Sequence, residues 1–257
     1  MLAVVSPAKS LNFESDSPIK LHSIPDFLDT SQTIINELQA LSPKEISSLM
    51  NISDDLGILN YERFQQWKTP FNLSNAKQAV FAFSGDVYNG LEASSLSSEN
   101  IDYAQKHFRI LSGLYGILKP LDLIQAYRLE MGTKIRVSSK KDLYNLWKEK
   151  ITFNVLNDLK ESKTNYLLNL ASNEYIKSID LKQPDFDVIT PIFKDFKNGQ
   201  FKMISFFAKK ARGMMARFFI ENKIKNPEDL KGFNLDGYSY NEELSAEKPF
   251  TFTRIHS

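Results

Sequence analysis

The chain of 257 residues carries 32 Lys and Arg against 31 Asp and Glu, a formal charge of +1, so any nucleic-acid site must come from local segregation of charge and not from a basic whole. It has no cysteine, which excludes disulfides, thiolate catalysis, Cys-ligated zinc, iron–sulfur clusters and the sensing of an oxidant through a thiol. Hydrophobic residues at 42% and charged residues at 25% are ordinary globular values, and with no linker or low-complexity run one domain is expected over 1–257. No apolar run reaches the roughly 20 residues of a membrane span, and Met1-Leu-Ala-Val-Val-Ser-Pro7 lacks the basic start of a secretory signal, so a cytoplasmic protein without a membrane partner is expected.

In chain order, Leu2 to Val5 is a short apolar run stopped by Ser6-Pro7, the pattern of a buried strand that sets Lys9 at the mouth of a sheet. Pro25 to Asn75 reads helical: Ser42-Pro-Lys-Glu45 supplies a capping box with proline at the first helical position, and Ser53-Asp-Asp starts a helix that ends near Trp67. Ala79 to Phe83 has the form of a second buried strand, broken by Ser84-Gly-Asp86. Ser98 to Phe108 is helical and runs into a segment with two glycines, Gly113 and Gly116. Lys141 to Lys160 is an amphipathic helix and Tyr166 to Leu170 a strand. Asp187 to Phe196 and Gln200 to Phe207 form a strand pair around Lys197-Asn-Gly199. Asn226-Pro-Glu-Asp229 caps a short helix, and the alternation Phe250-Thr-Phe-Thr-Arg254 predicts an edge strand.

Three of these runs share one form, a buried strand followed by a small polar turn: Ser-Pro-Ala-Lys9, Ser-Gly-Asp86 and Ala-Ser-Asn173. Ligand sites in sheets form where strand ends converge, which makes the three loops candidates to line one pocket. Lys9, Asp86 and Glu174 are its candidate catalytic groups: a lysine beside Lys209 or Lys210 would become a neutral amine fit for a base or Schiff-base role, and paired carboxylates suit acid–base work. The plainer alternatives are a solvated lysine and two helix-capping carboxylates. The histidines His22, His107 and His256 are isolated, and glycine-rich nucleotide loops are absent, so neither a metal nor a cofactor is expected.

Two basic features remain. At about 100° per residue, Lys209, Lys210, Arg212 and Arg217 fall on less than half the circumference of a helix, opposite Met214, Met215, Phe218 and Phe219. That is a local basic patch or, equally, a solvated surface. The segment Arg109-Ile-Leu-Ser-Gly-Leu-Tyr-Gly-Ile-Leu-Lys-Pro120, followed by Tyr127-Arg-Leu-Glu-Met-Gly132, reads either as an ordinary turn or as a helix-hairpin-helix element. In the second reading Gly113 and Gly116 bring backbone N–H groups to a DNA phosphate, with Arg109, Lys119 and Arg128 around them. It departs from the usual Gly-x-Gly of such hairpins by holding two residues between its glycines.

Together with Ser6-Pro-Ala-Lys9, Phe83-Ser-Gly-Asp-Val-Tyr-Asn-Gly-Leu91, Asn169-Leu-Ala-Ser-Asn-Glu-Tyr175 and Phe206-Phe-Ala-Lys-Lys-Ala-Arg-Gly213, this segment closely resembles the YaaA family of bacterial peroxide-stress proteins, in the family's order from Met1 to about Arg254. The resemblance implies a compact α+β protein, its mixed sheet surrounded by helices, with a basic cleft that binds double-stranded or structured DNA and serves survival of hydrogen peroxide and iron homeostasis. No reaction follows from it. The alternative reading of the residues is an enzyme whose lysine-lined pocket acts on a nucleobase or an abasic DNA site.

Overall fold

The computed structural model describes residues 1–182, 185–248 and 250–255. Leu2–Val5 forms strand β1, buried along its whole length as an unalternating apolar run requires. It is the centre of a five-stranded sheet with β2 (Phe108–Ser112), β3 (Gly116–Leu118), β4 (Tyr166–Leu170) and β5 (Asp187–Ile189), in the order β3-β2-β1-β4-β5. β1 runs parallel to both β2 and β4, and β4 to β5, while β3 returns antiparallel to β2. With parallel neighbours on both sides of β1, the carboxyl ends of three strands open together, where crevices form in such sheets.

A second sheet holds β6 (Ile192–Lys197), β7 (Gln200–Lys202), β8 (Ser239–Tyr240) and β9 (Thr251–Arg254), in the order β7-β6-β9-β8. The single strand expected from Asp187 to Phe196 is thus divided between two sheets, with Pro191, which has no N–H to give a ladder, at the break. Thr251–Arg254 is not an edge strand. It is fully buried between β6 and β8 because Arg254 pairs with buried Asp195 at 2.7 Å and Tyr238 donates to the other oxygen of that carboxylate at 2.9 Å.

The helices are α1 (Leu28–Gln39), α2 (Pro43–Met50), α3 (Asp54–Gln66), α4 (Asp86–Leu91), α5 (Ser98–His107), α6 (Leu143–Glu161) and α7 (Ser205–Glu221), beside shorter turns. The capping box of α2 is present, with the Ser42 N–H donating to Glu45 at 2.8 Å, and Ser53 caps α3. None of the described helices is long and apolar enough to cross a membrane.

Three further expected elements change. Ala79–Ala82 is a helical turn, because the N–H groups of Ala79 and Val80 donate to the carbonyls of Asp122 and Pro120; only Phe83–Ser84 is extended, paired with Ser10–Leu11. The strand after Gly199 stops at Lys202, and Ser205 to Phe207 already belong to α7. The two-glycine segment is a β-hairpin and not a helix-hairpin-helix: α5 ends at His107, and Phe108 is extended at φ −132°, ψ 136°. The apolar residues Phe108, Ile110, Leu111, Ile117 and Leu118 are all buried, as a strand pair covered on both faces demands.

Candidate functional site

The loops after β1 and β4 are stitched by two serines. The Ser172 N–H donates to Ser6 Oγ at 2.9 Å and the two hydroxyls lie 3.3 Å apart, so each loop fixes the other. Above them opens a cleft of about 550 Å³. Its walls are the loop from Ser6 to Ser10, the start of α4 at Ser84 to Tyr88, the strip Tyr127–Glu130, the turn carrying Ser172, Glu174 and Tyr175, and the side of α7 at Lys209 and Arg212.

The close contact of α4 with α7 sets the width of this cleft. A side chain at Gly90 would run into the carbonyl of Lys210, and one at Gly213 into the carbonyl of Val87, so the two helices touch backbone to backbone only because both positions are glycine. That contact brings Asp86, at the start of α4, to the same cleft as Arg212.

Tyr88, Tyr127 and Tyr175 form much of the wall, each nearly buried. The Tyr88 hydroxyl donates to the Ser6 carbonyl at 3.1 Å, that of Tyr127 lies 2.6 Å from Ser112 Oγ, and that of Tyr175 meets the Met131 backbone. Burial pushes all three phenols well above their ordinary range, so they remain neutral and present ring faces.

The charges are of both signs: Lys9, Arg128, Lys209 and Arg212 face Asp86, Glu130 and Glu174, a mixed cleft where a basic one was expected. Glu130 is shared by Lys9 at 2.9 Å and Arg128 at 3.3 Å, and Glu174 accepts the Gly132 N–H at 2.8 Å. The Lys9 side chain is 62% exposed, and its pair with Glu130 is a solvated one. Arg212 differs. It is half-buried, burial alone lowers its pKa, and among the described residues it has no ion-pair partner.

The three loops with the shared strand-then-turn form therefore meet, and with them come Lys9, Asp86, Glu174, Arg128, Lys209 and Arg212. The remaining expected DNA contacts do not join them. Arg109 is buried, its Nε and Nη2 2.8 and 2.7 Å from the two oxygens of Asp158 on α6. Gly113 lies under the Leu129 carbonyl, its own carbonyl accepting from Trp147 at 2.9 Å, and Gly116, at φ +72°, has the Trp147 ring 2.6 Å from where a Cβ would stand. The backbone of both glycines is buried. Lys119 pairs with Asp26 at 3.6 Å. The basic face of α7 is divided: Lys210 pairs with Asp236 at 3.6 Å, and Arg217 with Glu221 at 2.7 Å and Glu92 at 3.8 Å. Glu221 was visible one turn beyond Arg217; Glu92 and Asp236 come from distant segments.

Tyr88 and Tyr175 follow the same turns as Asp86 and Glu174; sequence reasoning missed the third wall tyrosine, Tyr127, with Glu130 and the paired Gly90 and Gly213. For the last two a signal existed, since glycine inside a helical pattern asks for a packing reason. A second concavity, of about 570 Å³, lies on the outer side of α6 around Tyr144, Lys148, Phe153 and Lys177. It gathers no strand ends. Among the described residues no His, Asp or Glu cluster could hold a metal; His22 and His107 stand apart, and His256 lies outside the described residues.

Fold and cleft together define an α+β protein with a mixed-charge, tyrosine-walled site at the carboxyl ends of parallel strands. The family described as "Peroxide stress protein YaaA" matches residues 1–244. A UPF0246 protein of Alteromonas mediterranea is 54% identical over 254 residues, 99% of this chain and 98% of its own, and one of Colwellia psychrerythraea is 54% identical over 257 residues, the whole of each. One from Idiomarina loihiensis is 53% identical over 254 residues. The chain belongs to the peroxide stress protein YaaA family, which assigns it to the response to peroxide.

Proposed function

We propose that the protein acts in peroxide stress by binding a nucleoside phosphate in the cleft, either as a free nucleotide or as one residue of a nucleic acid. The observation that carries this reading is Arg212, a guanidinium half withdrawn from water in the cleft and in no ion pair among the described residues. Withdrawing a charge from water is costly unless an opposite charge meets it, and a guanidinium cannot shed its proton to escape. An anion entering the cleft supplies that charge, and a phosphate matches the planar fork of donors. Lys209 and Arg128 line the same space.

The tyrosine wall favours an aromatic ring on the same ligand, because the three hydroxyls are committed elsewhere and only ring faces are left. The carboxylates of Asp86 and Glu174 suit the amino and imino donors of a base. The cleft volume of about 550 Å³ is that of a small-molecule site. Duplex binding through the two-glycine segment has lost its support with that segment's burial, and nucleic acid remains as one source of the nucleotide. The lysine-centred enzyme reading loses its buried amine. It is Asp86 and Glu174 that would carry any proton transfer.

The test is isothermal titration of the wild-type protein and Arg212→Ala with nucleoside 5′-monophosphates, inorganic phosphate and a short oligonucleotide. Arg212→Ala should weaken the phosphate-bearing ligands by about tenfold or more, the scale of a lost charge-assisted contact. Wild-type protein that binds none of them, or a variant that binds them all equally well, contradicts the proposal.

A further inference from the structure

Glu174 follows β4 through the turn Ala171-Ser172-Asn173, and the fold holds it from two sides. Its backbone carbonyl accepts the Tyr144 hydroxyl of α6 at 2.9 Å, and its Oε1 accepts the Gly132 N–H at 2.8 Å. A Cβ at Gly132 would stand 3.2 Å from that oxygen, so the close approach suits a glycine. The carboxylate is thus fixed in the wall of the cleft, next in sequence to the nearly buried ring of Tyr175. Among the described residues it makes no ion pair, although Lys9, Arg128, Lys209 and Arg212 line the same space. A carboxylate offers about four lone-pair sites and no donor, and one N–H leaves most of them open.

An acceptor fixed in this way discriminates among bases. Guanine presents two adjacent donors on one edge, the ring N–H at N1 and the 2-amino group. Adenine and cytosine set one amino donor beside a ring-nitrogen acceptor, and uracil and thymine hold a single N–H between two carbonyls. Against any of these a carboxylate meets at least one lone pair with its own. The remaining acceptors of guanine, O6 and N7, take donors from cations. Lys9 belongs to the loop that Ser6 stitches to Ser172, so it lies in the loop bound to the one that carries Glu174.

We propose that the cleft selects guanine nucleotides, with Glu174 as the residue that determines the choice by accepting the N1–H and the 2-amino group of the base. The inference rests on the reading of the cleft as a nucleoside-phosphate site and names the base that site takes. Arg212 meets the phosphate from α7, and Glu174 meets the base from the turn after β4, two separate walls of the cleft. A polar group left without its partner in such a site is penalised, which is why the wrong base is rejected and not merely held less well.

The experiment is isothermal titration with the 5′-monophosphates of guanosine, inosine and adenosine. Inosine keeps the N1–H and O6 of guanosine and lacks only the 2-amino group, so the first comparison needs no variant. Wild-type protein should bind guanosine monophosphate about tenfold or more tightly than either of the others, the scale of a lost hydrogen bond to a charged group. In Glu174→Gln the side-chain amide sets a donor beside an acceptor, the pattern that adenine matches. The ratio of guanosine to adenosine monophosphate affinity should therefore fall by about tenfold or more, a change of preference that a general loss of structure does not produce. Wild-type protein that binds all three alike, while Arg212→Ala weakens them all, overturns the choice of guanine and leaves the phosphate site standing. Protein that binds none of them removes both. A preference that is lost in Asp86→Asn and kept in Glu174→Gln overturns the assignment of Glu174.

Discussion

Arg109 and Arg212 show how far the meaning of one residue type depends on what the fold puts beside it. Arg109 sits in β2 with both arms on Asp158, and its Nη1 donates to the carbonyls of Gln105 and Phe108 at 3.0 and 2.9 Å. Removing it leaves the Asp158 carboxylate buried without a counterion, which costs about 3–5 kcal/mol. Arg109→Ala should lower unfolding free energy in urea by that amount, and Arg109→Ala/Asp158→Ala should recover part of it; a loss below about 1 kcal/mol would return Arg109 to the surface role the sequence suggested. From the sequence alone Arg109 stands next to two glycines and reads as a phosphate contact. The acid that claims it lies 49 residues away on a helix, and no local pattern reports that separation. The ion pair of Lys9 was invisible for the same reason, since Glu130 comes from another part of the chain. The positions Ser6, Asp86 and Glu174 were legible because a buried run ending in a small polar turn is a local signal.

At the scale of elements, the helices with capping residues were legible and the strands less so. Ser42 and Ser53 mark helix starts through hydrogen bonds to their own neighbours, whereas the path of Ala79–Ala82 is decided by carbonyls at Pro120 and Asp122. The two-glycine segment failed as a helical element because its residues pair across a sheet. The contact of α4 with α7 positions the cleft and rests on two glycines. Gly213→Val has no room beside the Val87 carbonyl and must drive the helices apart, at about 1–3 kcal/mol for the overpacking, and it should also widen the cleft between the start of α4 and the side of α7. Gly232→Ala, whose new methyl would meet only Phe218 at 3.6 Å, is the control. Melting temperature and nucleotide affinity should both fall in the first and stay close to wild type in the second. A Gly213→Val protein of unchanged stability and affinity would show that the helix contact does not set the cleft.

On the scale of the whole molecule, near-zero net charge hides an uneven distribution: buried or surface ion pairs consume Arg109, Lys119, Lys210, Arg217 and Arg254, while Lys209 and Arg212 are left at the cleft. Which cations are consumed is a property of tertiary structure, and that is why a helical wheel could place four of them on one face of α7 without showing that two are paired. The central claim is that Arg212 holds the phosphate of a ligand whose ring lies against the tyrosine wall. A crystal structure of the protein with a nucleoside 5′-monophosphate tests it most directly. The account predicts phosphate oxygens about 2.7–2.9 Å from the Arg212 guanidinium, with the base against Tyr88, Tyr127 or Tyr175. A ligand seated in the concavity beside Phe153, or a cleft left empty at saturating nucleotide, would contradict it.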